Sequence, residues 1–378
     1  MINFESINHT VDTSDKRPRI LLIELEFLTW EKASKWSYTS QMAIEEGFDA
    51  NDVEYSTITT PWLNRSREIF RGQKFDQVWV EIVHQDFDND FFEWLQTMAP
   101  IRIGLVAESL EYSPEECAVT ETFTKRKGKI EKYCCYLTHV IACDERDAQH
   151  INENKLAKAI WWPQAIPSRY ICRKNQIQPS KPALFGGSVY GSRREWINNQ
   201  DLKNVLFRQN PSDGRLFPFI FNFIHLCARF SAKLGFPPPS WMLPVYLLVL
   251  RYVRRKCFLN WIRAMQEGYA VVNLPHFLKA YPGRILEAMA AGRPVISWHI
   301  PLRPRTESLF KENVEILFFD SNNPKDLIRQ IHRVHNDSDL AFFLVNNARN
   351  KILRLHTMEK RIKDVLHWIE TGEEPVYD

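Results

Sequence analysis

The sequence predicts an α/β protein of two halves, each built on a parallel sheet with helices on both faces. Three observations carry that reading. Short β-branched runs alternate with helical runs almost from end to end, which implies parallel βαβ crossovers and covered sheets. A proline-rich stretch, "WWPQAIPSRYICRKNQIQPSKP" (161–182), interrupts the series. The length, 378 residues, exceeds what a single hydrophobic core usually serves.

In the first half "RILLIEL" (Arg19–Leu25) reads as a buried strand, and residues Trp30 to Phe48 as a polar-faced helix closed by Glu46-Gly47-Phe48. "YSTITT", "QVWVEIV", "IRIGLVAES" and "THVIACD" supply four further strands, with "FFEWLQTMA" and "KIEKYCCYL" as helices between them. After the break, "PALFGGSV", "KNVLFRQ", "YAVVNLP", "PVISWHI" and "VEILFFD" form a second series, and the run from Pro324 to Gly372 is helical. The predicted division is a Rossmann-like domain over 1–165, a linker over 166–182, a second Rossmann-like domain over 183–355, and a C-terminal helix and tail over 356–378. Ligands of such sheets sit beyond the carboxyl ends of the strands.

A hydrophobic helical insertion at about 215–262 does not fit a plain Rossmann-like half. "FPFIFNFIHLCARFSAKLGF" is interrupted by Asn222, His225 and Arg229, and "PVYLLVLRYVRRKCFLNW" is closed by Arg251, Arg254, Arg255 and Lys256. The segment packs against the second half or a dimer contact, or it lies in a membrane interface with its arginines on anionic phosphates. No stretch reaches the roughly 18 uninterrupted apolar residues of a membrane span.

Composition narrows the function classes. Hydrophobic content of 44% and charged content of 25% are ordinary for a globular chain. The formal net charge of +3 gives no footprint for nucleic acid. The seven cysteines are scattered without C-x-x-C spacing, and adjacent Cys134 and Cys135 read as packing residues, which suits a reduced, cytoplasmic setting. The polar, acidic N-terminus lacks the apolar core of a secretory signal.

Two stretches carry chemistry. "YPGRILEAMAAGRPVIS" (Tyr281–Ser297) opens a helix on Pro282, places Leu286, Met289 and Ala290 on one apolar face, ends at Gly292, and enters a strand at Val295. The amino end of that helix suits an anion. "ALFGGSVYGSRREW" follows a strand with Gly186-Gly187-Ser188 and then Arg193 and Arg194, so a backbone without Cβ atoms and guanidinium forks are both available to a phosphate. "DND" (Asp88–Asp90) precedes "FFEWLQTMA" directly, so Asp88 or Asn89 reads as a helix N-cap rather than a metal ligand. No His/Cys cluster has zinc spacing, and no metal site is expected.

"YPGRILEAMAAGRPVIS" resembles the donor-site signature of group 1 glycosyltransferases of the GT-B fold. The tail, ending in His356, Thr357 and Arg361, is similar to that family's closing helix. The likeness covers roughly Lys181 to Gly372. It implies a nucleoside-diphosphate sugar as donor substrate, a hydroxyl on a polysaccharide, lipid-linked glycan or other glycoconjugate as acceptor, and no further cofactor. Glu287 would bind the ribose hydroxyls, Gly283 would offer its amide and the helix dipole to the diphosphate, and Gly186, Gly187 and Arg193 would flank the same phosphates. Arg284 is counted with this group, although a solvated or salt-bridged role is the default for it and for Arg293.

Many members carry a second carboxylate eight residues before Glu287; here that position is Lys279, which suits an acidic donor or a phosphate. His276 is a further candidate facing the transferred sugar. An inverting reaction needs a base in the first half, for which His84 and Glu108, each after a predicted strand, are the candidates. The alternatives are a nucleotide-sugar epimerase of the same fold and an inactive membrane-associated scaffold. Peripheral contact with an anionic membrane at its cytoplasmic face, through 215–262, completes the expectation.

Overall fold

The computed structural model describes residues 17–24, 40–172, 178–187, 189, 191–209, 230 and 238–377. Most of the predicted helix over 30–48, the first part of the insertion, and Ser188 lie outside those residues.

The first half is a six-stranded parallel sheet of order β2-β1-β3-β4-β5-β6. Its strands are β1 (Arg19–Glu24), β2 (Glu54–Thr59), β3 (Gln77–Glu81), β4 (Ile101–Val106), β5 (His139–Ala142) and β6 (Lys158–Trp161). The helices between them are α1 (Ser40–Ala50), α2 (Ser66–Ile69), α3 (Asn89–Met98), α4 (Pro114–Cys117), α5 (Glu121–Cys134) and α6 (Glu145–Glu153). The second half is a five-stranded parallel sheet of order β11-β10-β9-β7-β8. It contains β7 (Ala183–Gly186), β8 (Leu206–Gln209), β9 (Val271–Asn273), β10 (Val295–Trp298) and β11 (Leu317–Phe319). Around it lie α7 (Arg193–Asn198), α8 (Leu243–Gln266), α9 (Gly283–Ala290), α10 (Pro304–Ser308), α11 (Pro324–Asn336), α12 (Ser338–Leu355) and α13 (Met358–Thr371).

The central strands are apolar in their middle because both faces are covered: Ile20, Leu21, Leu22, Val78, Trp79 and Val80 are all fully buried. In each sheet the strand order reverses once near the middle, between β1 and β3 and between β7 and β9. Successive connections diverge there, and a crevice opens past the carboxyl ends of the strands. The loops after β7 and β9 therefore hold the signature residues of the second half.

All ten predicted strands exist, and an eleventh, β6, falls where the linker begins to read. It is a four-residue strand running into Trp162 and Pro163, too short to stand out from the break that follows it. Gly47 does not cap α1, which continues to Ala50; a Cβ there would collide with Ile362 of α13, so the glycine lets the two helices approach. Pro282 is the N-cap of α9 rather than its first residue, while Gly292 ends the helix in the left-handed region at φ 74° as expected. Asp88 caps α3 by accepting from the Phe91 amide. Of the cysteine pair, Cys134 is buried and Cys135 exposed.

The halves are joined by polar contacts. Arg303, before α10, donates from Nε and Nη2 to Asp144 of the first half at 2.5 and 2.9 Å, and both side chains are almost completely buried. Next to it, Glu145 accepts from the Thr306 amide at 2.6 Å and its hydroxyl at 2.9 Å, capping α10 from the opposite half. At the other end α13 returns to pack on α1, and Ser168 donates to Glu359. Replacing Arg303 by Met strands the Asp144 carboxylate in the interface. The expected cost is about 3–5 kcal/mol of unfolding free energy, read as a lower denaturant midpoint. An unchanged midpoint would show that the pair contributes nothing.

Candidate donor site in the second half

The site is assembled at the sheet reversal from the ends of β7 and β9 and from two helices. Phe185, Gly186 and Gly187 leave β7 directly beneath α8 and α9. A Cβ on Gly186 would enter the Trp261 indole of α8, and one on Gly187 (φ 150°) would meet the Arg284 guanidinium of α9. Two aromatic and cationic side chains thus close over a backbone stripped of side chains, the arrangement the paired glycines suggested. Arg284 lies over the Phe185 ring, 5.2 Å from its centroid, and reaches Asn273 Oδ1 at 3.4 Å.

Glu287 sits one turn into α9, half-buried, with its carboxylate turned inward. Its Oε2 accepts from Trp261 Nε1 at 2.7 Å, and its Oε1 lies on the Gly283 side, at the amino end of the helix. Burial pushes its pKa up to about 7, opposed by the Trp261 hydrogen bond and the Arg284 charge. The group is therefore poised between its two forms at neutral pH. Gly283, Arg284 and Glu287 come together with Gly186 and Gly187.

Arg193 is placed differently from the sequence expectation. It is 2% exposed and donates to the Pro275 and Leu274 carbonyls, at 3.1 and 3.3 Å, clamping the loop after β9. That loop carries His276, whose Nδ1 accepts from the Leu278 amide at 2.8 Å. Burial and the neighbouring Arg193 and Arg284 charges hold its pKa well below the usual imidazole value, so the ring is neutral with its proton on Nε2. Arg293 is not a surface residue: it is buried and donates to the Gln266 carbonyl, fixing the end of α8.

Lys279 does not turn toward the glycine loop. Its ammonium donates to Glu116 Oε2 at 3.0 Å and to the Glu111 carbonyl at 3.1 Å, both in the first half, while its amide donates to Ser109. The cation that replaces the family's second carboxylate is matched by a carboxylate of the opposite domain. The signal was invisible locally, because Glu116 is 163 residues away and serves as the N3 member of a capping box on α4.

His84 and Glu108 do lie past the ends of β3 and β4, and they touch, His84 Nε2 to Glu108 Oε1 at 3.1 Å. Glu81 takes the other imidazole nitrogen at 3.0 Å, and Arg126 takes the second Glu108 oxygen at 2.5 Å. Burial alone would lower the His84 pKa, but hydrogen bonds to Glu108 and Glu81 outweigh it and push it up to about 10. Burial would raise the Glu108 pKa, but His84 and Arg126 hold it at about 2. At neutral pH the pair is an imidazolium and a carboxylate in contact. The Glu108 charge reaches His276 across the cleft.

Sequence reasoning missed Trp261, which looked like one apolar residue of the insertion. Its polar partner is 26 positions downstream, and only the packing of α8 on α9 brings them together. Arg251 and Arg254 of α8 also point inward, to Glu45 at 2.6 Å and to Glu24 at 3.4 Å in the first half. Among the described residues no group of three or more His, Cys, Asp or Glu side chains is placed to hold a metal ion.

Residues 252–367, from mid-α8 to α13, match the family model described as glycosyl transferase-like. The fold extends the likeness to the whole chain. A sucrose-phosphate synthase from Thermosynechococcus elongatus superposes with a TM-score of 0.60 at 11% identity, over 94% of this chain and 99% of that one. The chain thus has the GT-B fold, and residues 252–367 are similar to the glycosyl transferase-like family. HepE of Anabaena, crystallised with UDP and glucose, superposes with a TM-score of 0.53 at 10% identity, over 94% of this chain and 100% of HepE. A glycosyltransferase from Rickettsia africae gives 0.50 at 12%, over 93% and 97%. By sequence, no curated protein matches this chain.

The His84 cluster gives a stability test. A folded pKa near 10 against the ordinary 6.5 means its stabilisation is complete below pH 6.5 and is lost as pH rises toward 10. His84→Gln should flatten the fall in thermal midpoint between pH 7 and pH 10. A variant whose midpoint falls as steeply as the wild type's would show that the imidazole is not charged in the folded protein.

Proposed function

We propose that the protein is a glycosyltransferase that takes its sugar from a nucleoside diphosphate donor seated on α9 and the β7 loop, and passes it to a hydroxyl acceptor entering from the first half. The observation that carries the donor reading is the convergence of a helix amino end, a side-chain-free turn and an inward carboxylate. The turn at Gly186-Gly187 gives the diphosphate a close approach to backbone, and Arg284 with the α9 dipole supplies positive charge. Glu287 accepts the ribose hydroxyls. Binding of UDP and glucose by HepE, on the same fold, supports a uridine donor.

In the reaction the bond from the anomeric carbon to the diphosphate oxygen breaks, and a bond from that carbon to the acceptor oxygen forms. Positive charge at α9 and Arg284 stabilises the departing diphosphate. With His84 already protonated and Glu108 held as an ion-paired carboxylate, the acceptor proton passes to an oxygen of the leaving diphosphate. Binding to groups of both halves excludes water, which would otherwise hydrolyse the donor.

Glu287 accepts hydroxyl protons best as a carboxylate. With a pKa near 7, its ionised fraction grows about tenfold between pH 6 and pH 8. Calorimetric UDP affinity should rise by a comparable factor over that range, and Glu287→Ala should abolish most binding at either pH. Wild-type affinity in the E287A variant would refute the site.

The place of work is the cytoplasmic face of an anionic membrane. Trp241, Val245, Leu248 and Tyr252 are exposed and recur every third or fourth residue, forming an apolar stripe along α8 and the turn before it. Exposed Lys256 and Arg263 continue the stripe and suit lipid phosphates, whereas Arg251 and Arg254 are engaged in the first half. None of the described helices is long and apolar enough to cross a membrane. Cosedimentation with phosphatidylglycerol vesicles should be lost in Trp241→Ser/Leu248→Ser/Tyr252→Ser; undiminished pelleting of that variant would reject the stripe as the contact.

A further inference from the structure

We infer that Trp261 is a positioning residue for the donor: its indole N–H fixes the orientation of Glu287 and favours the carboxylate form that suits a ribose diol. This rests on the donor reading above for its consequence, but the interaction itself exists without ligand.

The geometry is specific. Trp261 is 3% exposed, in the last third of α8, and its only hydrogen-bond donor is Nε1. That donor meets Glu287 Oε2 at 2.7 Å, a length typical of a charge-assisted bond. An acceptor as strong as a carboxylate rewards a single fixed donor, and a half-buried carboxylate without one would take up a proton instead. The ring is held in place from below, because its six-membered edge lies where a Cβ on Gly186 would be. The glycine at the end of β7 thus gives the indole room against the strand end.

The groups bearing on Glu287 are few. From α8 comes Trp261 and from its own helix Arg284, while the packed end of β7 offers Phe185, Gly186 and Gly187, none titratable. Arg284 leans away toward Asn273 and the Phe185 ring. Trp261 is therefore the side chain that touches Glu287 directly. Ten residues earlier, about 15 Å along the helix axis, α8 is fastened to Glu45 of the first half by Arg251. The rod that carries the indole is anchored across the interface, so the donor carboxylate is set by an element bound to both halves.

The test uses the full chain and has a readout that needs no nucleotide. The indole ¹H–¹⁵N resonance of Trp261, assigned by its absence from Trp261→Phe, should titrate with a midpoint near pH 7 and become pH-independent in Glu287→Gln. A resonance in the wild type that does not titrate, or that titrates equally in E287Q, overturns the proposal. In calorimetry, W261F should shift the rise of UDP affinity to higher pH and bind about five- to tenfold more weakly at pH 7, with recovery at pH 9. Gly186→Ala, which displaces the ring without removing it, should do the same. An unshifted W261F profile overturns the positioning role. If UDP fails to bind the wild type while the indole titrates, the donor reading fails and the Trp261–Glu287 coupling stands.

Discussion

Keeping a negative charge where burial opposes it is the constraint on which the second half depends. Glu287 must sit deep enough to exclude water from what it holds and must remain able to ionise. A helix of eight residues cannot meet both needs by itself. The solution draws on a long neighbouring helix for a neutral donor, on Arg284 one turn earlier in the same helix for a guanidinium, and on a strand end with two glycines for space. The neighbouring helix and the strand end come from other parts of the chain, and the reversal of strand order between β7 and β9 is what brings them to one point.

The same economy of charge runs through the contact between halves. Asp144 with Arg303, Glu45 with Arg251, Glu24 with Arg254 and Glu116 with Lys279 all pair an acid of the first half with a base of the second. Buried or half-buried pairs of this kind add little to net stability, yet they penalise misplacement severely. They fix how the two sheets face each other, which an apolar interface would do less sharply. Lys279 is the instructive member. It stands where the resemblance places a carboxylate, and Glu116 of the first half lies opposite it, so the pair ties the two halves together.

Much of the architecture was legible because it rests on local rules. Buried parallel strands announce themselves as β-branched runs, and Asp88, Gly292 and Gly372 mark helix ends by capping chemistry that needs no tertiary information. Helix α9 was legible for the same reason. For Arg193 and Lys279 the sequence did not show the protein partners, since a guanidinium suited to a phosphate is equally suited to the Leu274 and Pro275 carbonyls. His84 and Glu108 lie past the strand ends, where bases were sought, but their mutual contact, with Glu81 and Arg126 on either side, decides their charge. Trp261 was unreadable, because nothing in an apolar helix distinguishes an indole that fills space from one that also donates.

The most direct measurement is a crystal structure of the protein soaked with UDP. The account requires both ribose hydroxyls within hydrogen-bond distance of Glu287, the diphosphate against Gly186-Gly187 and the start of α9, and the Trp261 indole still on Oε2. A nucleotide bound elsewhere in the cleft, with the Glu287 carboxylate untouched, would contradict it.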